Sequence, residues 1–283
     1  MSPKQIPLKQ SHRFAFTLIE VVIAAALTTL LTASLAGMTL AARQSQDRLT
    51  HFDRCRGESR VAFDRIDRAV QRSGTYKPPA AATVPGVRAI SKSGYYTEWS
   101  TTLVCLTGGR DGDLSAASPL DRLPLASELL VFTDIPEGSG TLCEVAFPGD
   151  TQSVNLATAS SATIRSLVNG PTAEVAPLCR TIRRYSDPSD IYYGGSTIKS
   201  AVFFNVRHTP SSALIARDGG TEEGWLGLPW YRHQRTPHDG LRHTLVRVEL
   251  QFPNRATPHV GAQSDAYWPV FAGFEKVARH AKP

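Results

Sequence analysis

The chain lacks the short signatures of most enzymes. It holds no HExxH, no GxSxG, no P-loop and no dinucleotide fingerprint, so metalloprotease, serine-hydrolase and nucleotide-binding chemistry have no sequence support. Cysteine is scarce. Cys55, Cys105, Cys143 and Cys179 are the only four, and no two form a CxxC pair, which argues against zinc. Charge is missing altogether from Val21 to Ala42. The rest of the chain is also not strongly basic, despite a formal net charge of +6. That excess sits in Lys4, Lys9 and Arg13 and in residues 43–72, where eight arginines face five acids. The remainder is close to neutral and leaves no electrostatic footprint for nucleic acid.

What is present is one long apolar run, Phe14 to Ala42. Its uncharged part has about the ~20 residues that a helix needs to cross a bilayer. One carboxylate, Glu20, lies at its leading edge, behind the basic leader. Such an acid is costly in hydrocarbon and marks function by default. No Lys or Arg lies between it and Arg43, so the sequence offers Glu20 no partner of its own chain. A signal peptide cut near Ser34-Leu35-Ala36 would carry Glu20 inside its apolar core, and a plain signal anchor explains only the length. The basic leader fits a cytoplasmic N-terminus in either case.

Phe16-Thr17-Leu18-Ile19-Glu20, behind a basic leader and ahead of an apolar helix, resembles the processing signal of type IV pilins and type II secretion pseudopilins. The resemblance implies cleavage between Ala15 and Phe16 by a prepilin peptidase, with N-methylation of Phe16. The family's usual Gly before the cut is Ala15 here. It further implies an inner-membrane, single-pass subunit with a periplasmic head, assembled with other pilin or pseudopilin subunits. In that setting Glu20 pairs with the Phe16 amine of a neighbouring subunit. The pattern Ala62–Gly74 followed by Ser127–Asp134, and the size of the chain, are similar to the larger minor subunits, PilW-like or J-type.

The helical period continues past Ala42. Leu49, Phe52, Cys55, Ala62, Phe63, Ile66, Ala69 and Val70 share one broad face, and Arg54/Glu58, Arg60/Asp64 and Asp64/Arg68 pair at i,i+4 on the rest. The arginines read as a solvated face. Ser73-Gly74 ends the run and Pro78-Pro79 forbids its return. A helix over 16–73 would be on the order of 85 Å long. Gly37 and Gly57 interrupt it, either as points that melt during assembly or as small residues at a helix–helix contact.

Residues 76–97 read as a linker. Thr101–Leu106 and Glu128–Thr133 read as short buried strands, joined to the alternating Thr141–Phe147 through a hairpin loop at Pro136–Gly140. Residues 151–175 read as polar, with a short helix near Ala162–Asn169. Thr197–Val206 and Ala213–Ala216 suggest a hairpin, and Leu245–Phe252 a strand with one wet face. The tail from Tyr267 reads as aromatics followed by a basic end. The expected fold is α+β, a long transmembrane helix packed on an antiparallel head sheet. Its parts are a leader (1–15), a membrane half (16–42), an amphipathic half (43–74) and a β-rich head (75–283).

An exported head can hold disulfides. At least one is expected among Cys55, Cys105, Cys143 and Cys179, with Cys55 and Cys143 turned inward. Four cysteines admit three pairings, and sequence does not choose. His233, His238 and His243 recur at a spacing that suits neither a helix nor a strand face, and read as loop histidines. Asp111-Gly112-Asp113 resembles a fragment of a calcium loop without its downstream Glu. Trp225, Trp230 and Tyr231 read as a satellite core or a contact for a partner or sugar. No metal, cofactor or catalytic residue is expected, and the function read is assembly. A membrane-tethered periplasmic enzyme or carbohydrate-binding module is the alternative.

Overall fold

The computed structural model describes residues 17–79, 84–90, 99–115, 119–182, 200–209, 242–253 and 267–278. The chain divides into two compact units, 1–51 and 52–283. The architecture is α+β, with a long N-terminal helix and antiparallel sheets. Helix α1 spans Leu18–Arg72 and contributes to both units.

In the first unit every α1 residue from Leu18 to Thr50 is exposed. Its hydroxyl side chains turn back on the helix. Thr28 Oγ1 donates to Ala24 O (2.7 Å), Thr32 to Thr28 O (2.9 Å) and Ser34 to Leu30 O (2.9 Å). Hydroxyls satisfied in this way need no water.

The second unit is built on two antiparallel sheets. One has five strands in the order β3 (Val87–Ile90), β4 (Thr102–Leu106), β5 (Leu129–Asp134), β6 (Leu142–Ala146) and β7 (Glu174–Cys179). The other has β8 (Val202–Thr209), β9 (Arg242–Pro253) and β10 (Tyr267–Ala278), with β9 central. A small ribbon pairs β1 (Thr75–Tyr76) with β2 (Val84–Pro85). Ser100 exchanges two 2.7 Å backbone bonds with Phe204, linking the approach to β4 with β8.

Both faces of the five-stranded sheet are buried. Leu103, Cys105, Leu130, Phe132, Leu142 and Ala146 join one core with Ala62, Ile66, Ala69 and Val70 of α1. Val248, Leu250 and Phe252 of β9 enter the same core, so this part of α1 is held by both sheets. Phe63 meets Phe274 edge-on at 6.3 Å. The alternate residues Val104, Leu106, Val131, Val145 and Phe147 form a second core with Tyr76 and with Ile164 and Leu167 of α2 (Ser161–Val168). Ser160 caps α2 by accepting from Thr163 N (3.2 Å).

Several expectations need correction. The 76–97 linker contains β2, β3 and the second residue of β1. Its Gly86 is required because a Cβ there would lie 2.3 Å from Gly74 O, where Gly86 N donates to that carbonyl. The polar stretch before Pro177 contributes to β7, an edge strand with mostly exposed or half-buried side chains. The tail forms the twelve-residue β10. The wet face of β9 is only partly wet: Arg247 is exposed, but Glu249 and Gln251 are buried and hydrogen-bonded to each other at 2.8 Å.

The arginines of α1 are not simply a solvated face. Glu58, Arg65 and Arg72 recur every seven residues, a spacing that keeps them on one side of a helix, and each reaches the head. Glu58 Oε2 accepts from Arg180 N (2.8 Å), Thr181 N (3.1 Å) and Thr181 Oγ1 (2.9 Å). Arg65 forks onto the buried Glu144 at 2.9 and 2.7 Å, and Arg110 adds a bond at 3.0 Å. Arg72 donates to Arg110 O, while Arg72 O accepts from Leu114 N. Lys276 of β10 closes the helix end by donating to Gln71 O and Ser73 O.

Two predictions follow from these contacts. Glu144 is 1% exposed, whereas its arginines are 31% and 33% exposed. Glu144→Ala strands charges that water partly reaches, so the expected loss is about 3 kcal/mol, the low end for a broken buried pair. The urea midpoint of the head in detergent measures it. Burial pulls Lys276 down to about 8, with Asp113 and Cys105 acting the other way. An unfolded lysine titrates near ~10.4. Between these values the folded state gives up its proton first, so this residue's contribution to stability rises with pH across that window. Comparing wild type with Lys276→Met should show that rise in the wild type alone.

Candidate functional site in the N-terminal helix

The helix begins where an acid and a hydroxyl meet. Thr17 donates to Glu20 Oε2 from its backbone N (2.8 Å) and from its Oγ1 (3.0 Å), and Glu20 N donates back to Thr17 Oγ1 (3.3 Å). This is a capping box, in which Thr and Glu three residues apart satisfy the open N–H groups of a first turn. It corrects the expectation that Glu20 has no partner in its own chain. The signal was legible, since Thr-x-x-Glu before an apolar run is itself a helix-start motif. The two bonds from Thr17 fall on Oε2, and Oε1 has no bond among the described residues.

Behind the cap, Leu18, Ile19, Val21, Val22, Ile23, Leu27, Leu30, Leu31, Leu35 and Met38 are all more than half exposed. Among the described residues, α1 is the one helix long and apolar enough to cross a membrane, and none of its apolar window is buried in the chain. Leu49 and Phe52 were expected on the packed face but are exposed, and burial of that face begins at Cys55. A Cβ at Gly37 or Gly57 would meet nothing within 4 Å, so no contact among the described residues requires glycine at either position. Ala15 and Phe16, and with them the expected cleavage and methylation, lie outside the described residues.

All four cysteines stand as buried thiols in this structure. The strand register places three of them. Cys105 faces Val87 and Leu130, Cys143 faces Thr133 and Pro177, and Cys179 faces Leu142. Burial pushes Cys105 and Cys179 up to about 12 and Cys143 up to about 11, which removes the thiolate that nucleophilic chemistry would need.

A cleft of about 200 Å³ opens between α2 and the β5–β6 loop, lined in part by Thr102, Thr133, Asp134, Arg165, Asn169 and Ser200. Its polar groups serve the fold. Thr102 and Thr133 share a hydroxyl bond of 3.0 Å, and Arg165 pairs with Glu137 at 3.5 Å. Asp134 accepts from Gly138 N (2.9 Å), Thr141 N (3.0 Å) and Ser139 Oγ (3.1 Å). Burial raises its carboxyl even so. Among the described residues no histidine or cysteine lines the cleft, so these offer no nucleophile–base pair of that kind.

Asp113 of the fragment that resembles part of a calcium loop accepts from Ser115 N at 2.8 Å. Among the described residues no group of three or more His, Cys, Asp or Glu is placed to hold a metal ion. His233, His238, Trp225, Trp230, Tyr231 and Ala213–Ala216 lie outside the described residues, as does the side chain of His243. No family model, curated protein or solved structure matches the chain.

Proposed function

We propose that the chain is a pilin-like subunit, minor by its size, of a type IV filament or type II secretion pseudopilus. It is anchored in the inner membrane and acts by assembly rather than catalysis. The observation that carries this reading is the division of labour along α1. Its first part, from Val21 to Ala42, carries no charge and is exposed on all sides among the described residues. Its last turns form the core of the head. A helix that is hydrophobic all round requires lipid or other helices as its surroundings, and a filament core supplies both in turn.

The start of the helix supports the same reading. A capping box at Thr17 and Glu20 orders the turn directly behind Phe16 and leaves Oε1 available. In the proposed assembly that oxygen receives the amine that processing creates at Phe16 of a neighbouring subunit. The pair would fix axial register, the best-attested use of a buried polar contact. Pseudopilus tip subunits of the family typically lack this acid, so the proposed position is beneath the tip.

Processing is tested by the intact mass of the membrane-extracted protein, which should begin at a methylated Phe16. A terminus at Gly37 would mean removal as a signal peptide and end the proposal. Pairing is tested in sheared filaments. Glu20→Leu should insert and fold yet be absent from them, Glu20→Asp should be partly defective, and Thr17→Val should be present because it removes only the two cap bonds made through Oγ1 and keeps the charge. Equal loss of Thr17→Val and Glu20→Leu would reduce Glu20 to a helix cap.

A further inference from the structure

The fold sorts the four cysteines into separate neighbourhoods. Cys105 lies on β4 beside Ser73 and Lys276, at the end where α1 stops. Ser73 is eighteen residues from Cys55, about 27 Å along a helix. Cys143 lies on the opposite face of its sheet, in line with Val145 and Phe147, with its sulfur toward Ile135 O and Thr141 O at 3.9 and 3.6 Å. Cys55, Cys105 and Cys179 all enter one packed core, and within it Cys55 and Cys179 are drawn together by Glu58. That residue stands one turn beyond Cys55 and accepts from Arg180 N and Thr181 N, the two residues that follow Cys179. Its carboxylate also bears on the Cys179 thiol.

We propose that Cys55 and Cys179 are the disulfide-forming pair, a covalent staple from α1 to the end of β7, and that Cys105 and Cys143 remain thiols. Formation in the cell rests on the exported, periplasmic reading of the head. The chemistry is two exchanges with a disulfide donor, for which oxidised glutathione is the probe. One cysteine thiolate attacks the donor and releases one donor thiol. The second thiolate then attacks the mixed disulfide at the protein sulfur and releases the other. Two protein thiols are oxidised, the donor disulfide is reduced to two thiols, and both protons end on donor sulfur. Because burial suppresses the Cys179 thiolate, the bridge closes while the chain folds and not afterwards.

The test uses the full chain in two preparations. One is extracted from membranes after alkylation in intact cells. The other is made reduced, denatured, and refolded in detergent with a glutathione redox buffer. Non-reducing peptide mapping of the refolded chain should join the Cys55 and Cys179 peptides and leave Cys105 and Cys143 available for alkylation. Cys55→Ser and Cys179→Ser should each abolish the linked peptide, while Cys105→Ser and Cys143→Ser keep it. A link in the refolded chain but not in the cell-derived one upholds the pairing and overturns the periplasmic location. Any other pair, or four alkylated thiols in both preparations, overturns the pairing.

Discussion

The buried carboxylate of Glu144 and the two guanidinium groups around it are the contact on which the head depends. Glu144 sits on β6, on the face that otherwise presents Leu142 and Ala146 to α1. An unpaired charge there would be several kcal/mol too costly to bury. Arg65 from the helix and Arg110 from the loop after β4 must therefore arrive together. Their arrival fixes the rotation of α1 on the sheet, since only one face can present Arg65 to Glu144 while Ile66 and Ala69 enter the core. Apolar packing supplies the bulk of the attraction and the ion cluster supplies the register.

Much of this was legible from residue patterns. The long helix, the buried strands β4 and β5, the hairpin loop after them and the alternation of β9 all follow from period and punctuation. The strands that escaped have physical reasons. β3 is short and flanked by Pro85 and Gly86, so local signals read as linker. β10 carries Pro269 and Gly273 and gains strand character from twelve paired positions on β9, which is tertiary information. β7 lies at a sheet edge, where exposed side chains erase the apolar signature.

The site divides in the same way. Glu20 was visible because a charge interrupts an uncharged run. Its bond to Thr17 was equally visible as a capping motif, yet the membrane-length run behind it drew attention to an external partner instead. The seven-residue recurrence of Glu58, Arg65 and Arg72 was hidden by its surroundings. In a segment with eight arginines, Arg65 and Arg72, which bind the head, look like their neighbours. Only the partners, which lie 38 to 123 residues away in sequence, tell them apart.

That recurrence bears on mechanics. Glu58, Arg65 and Arg72 grip the head at three heights along some 21 Å of helix. A force pulling α1 along its own axis would load all three grips and the core between them at once, in shear. Peeling the helix sideways would open them one after another. A chain built this way resists tension along its helix far better than it resists prising, and stretching of the proposed filament would apply mainly the first.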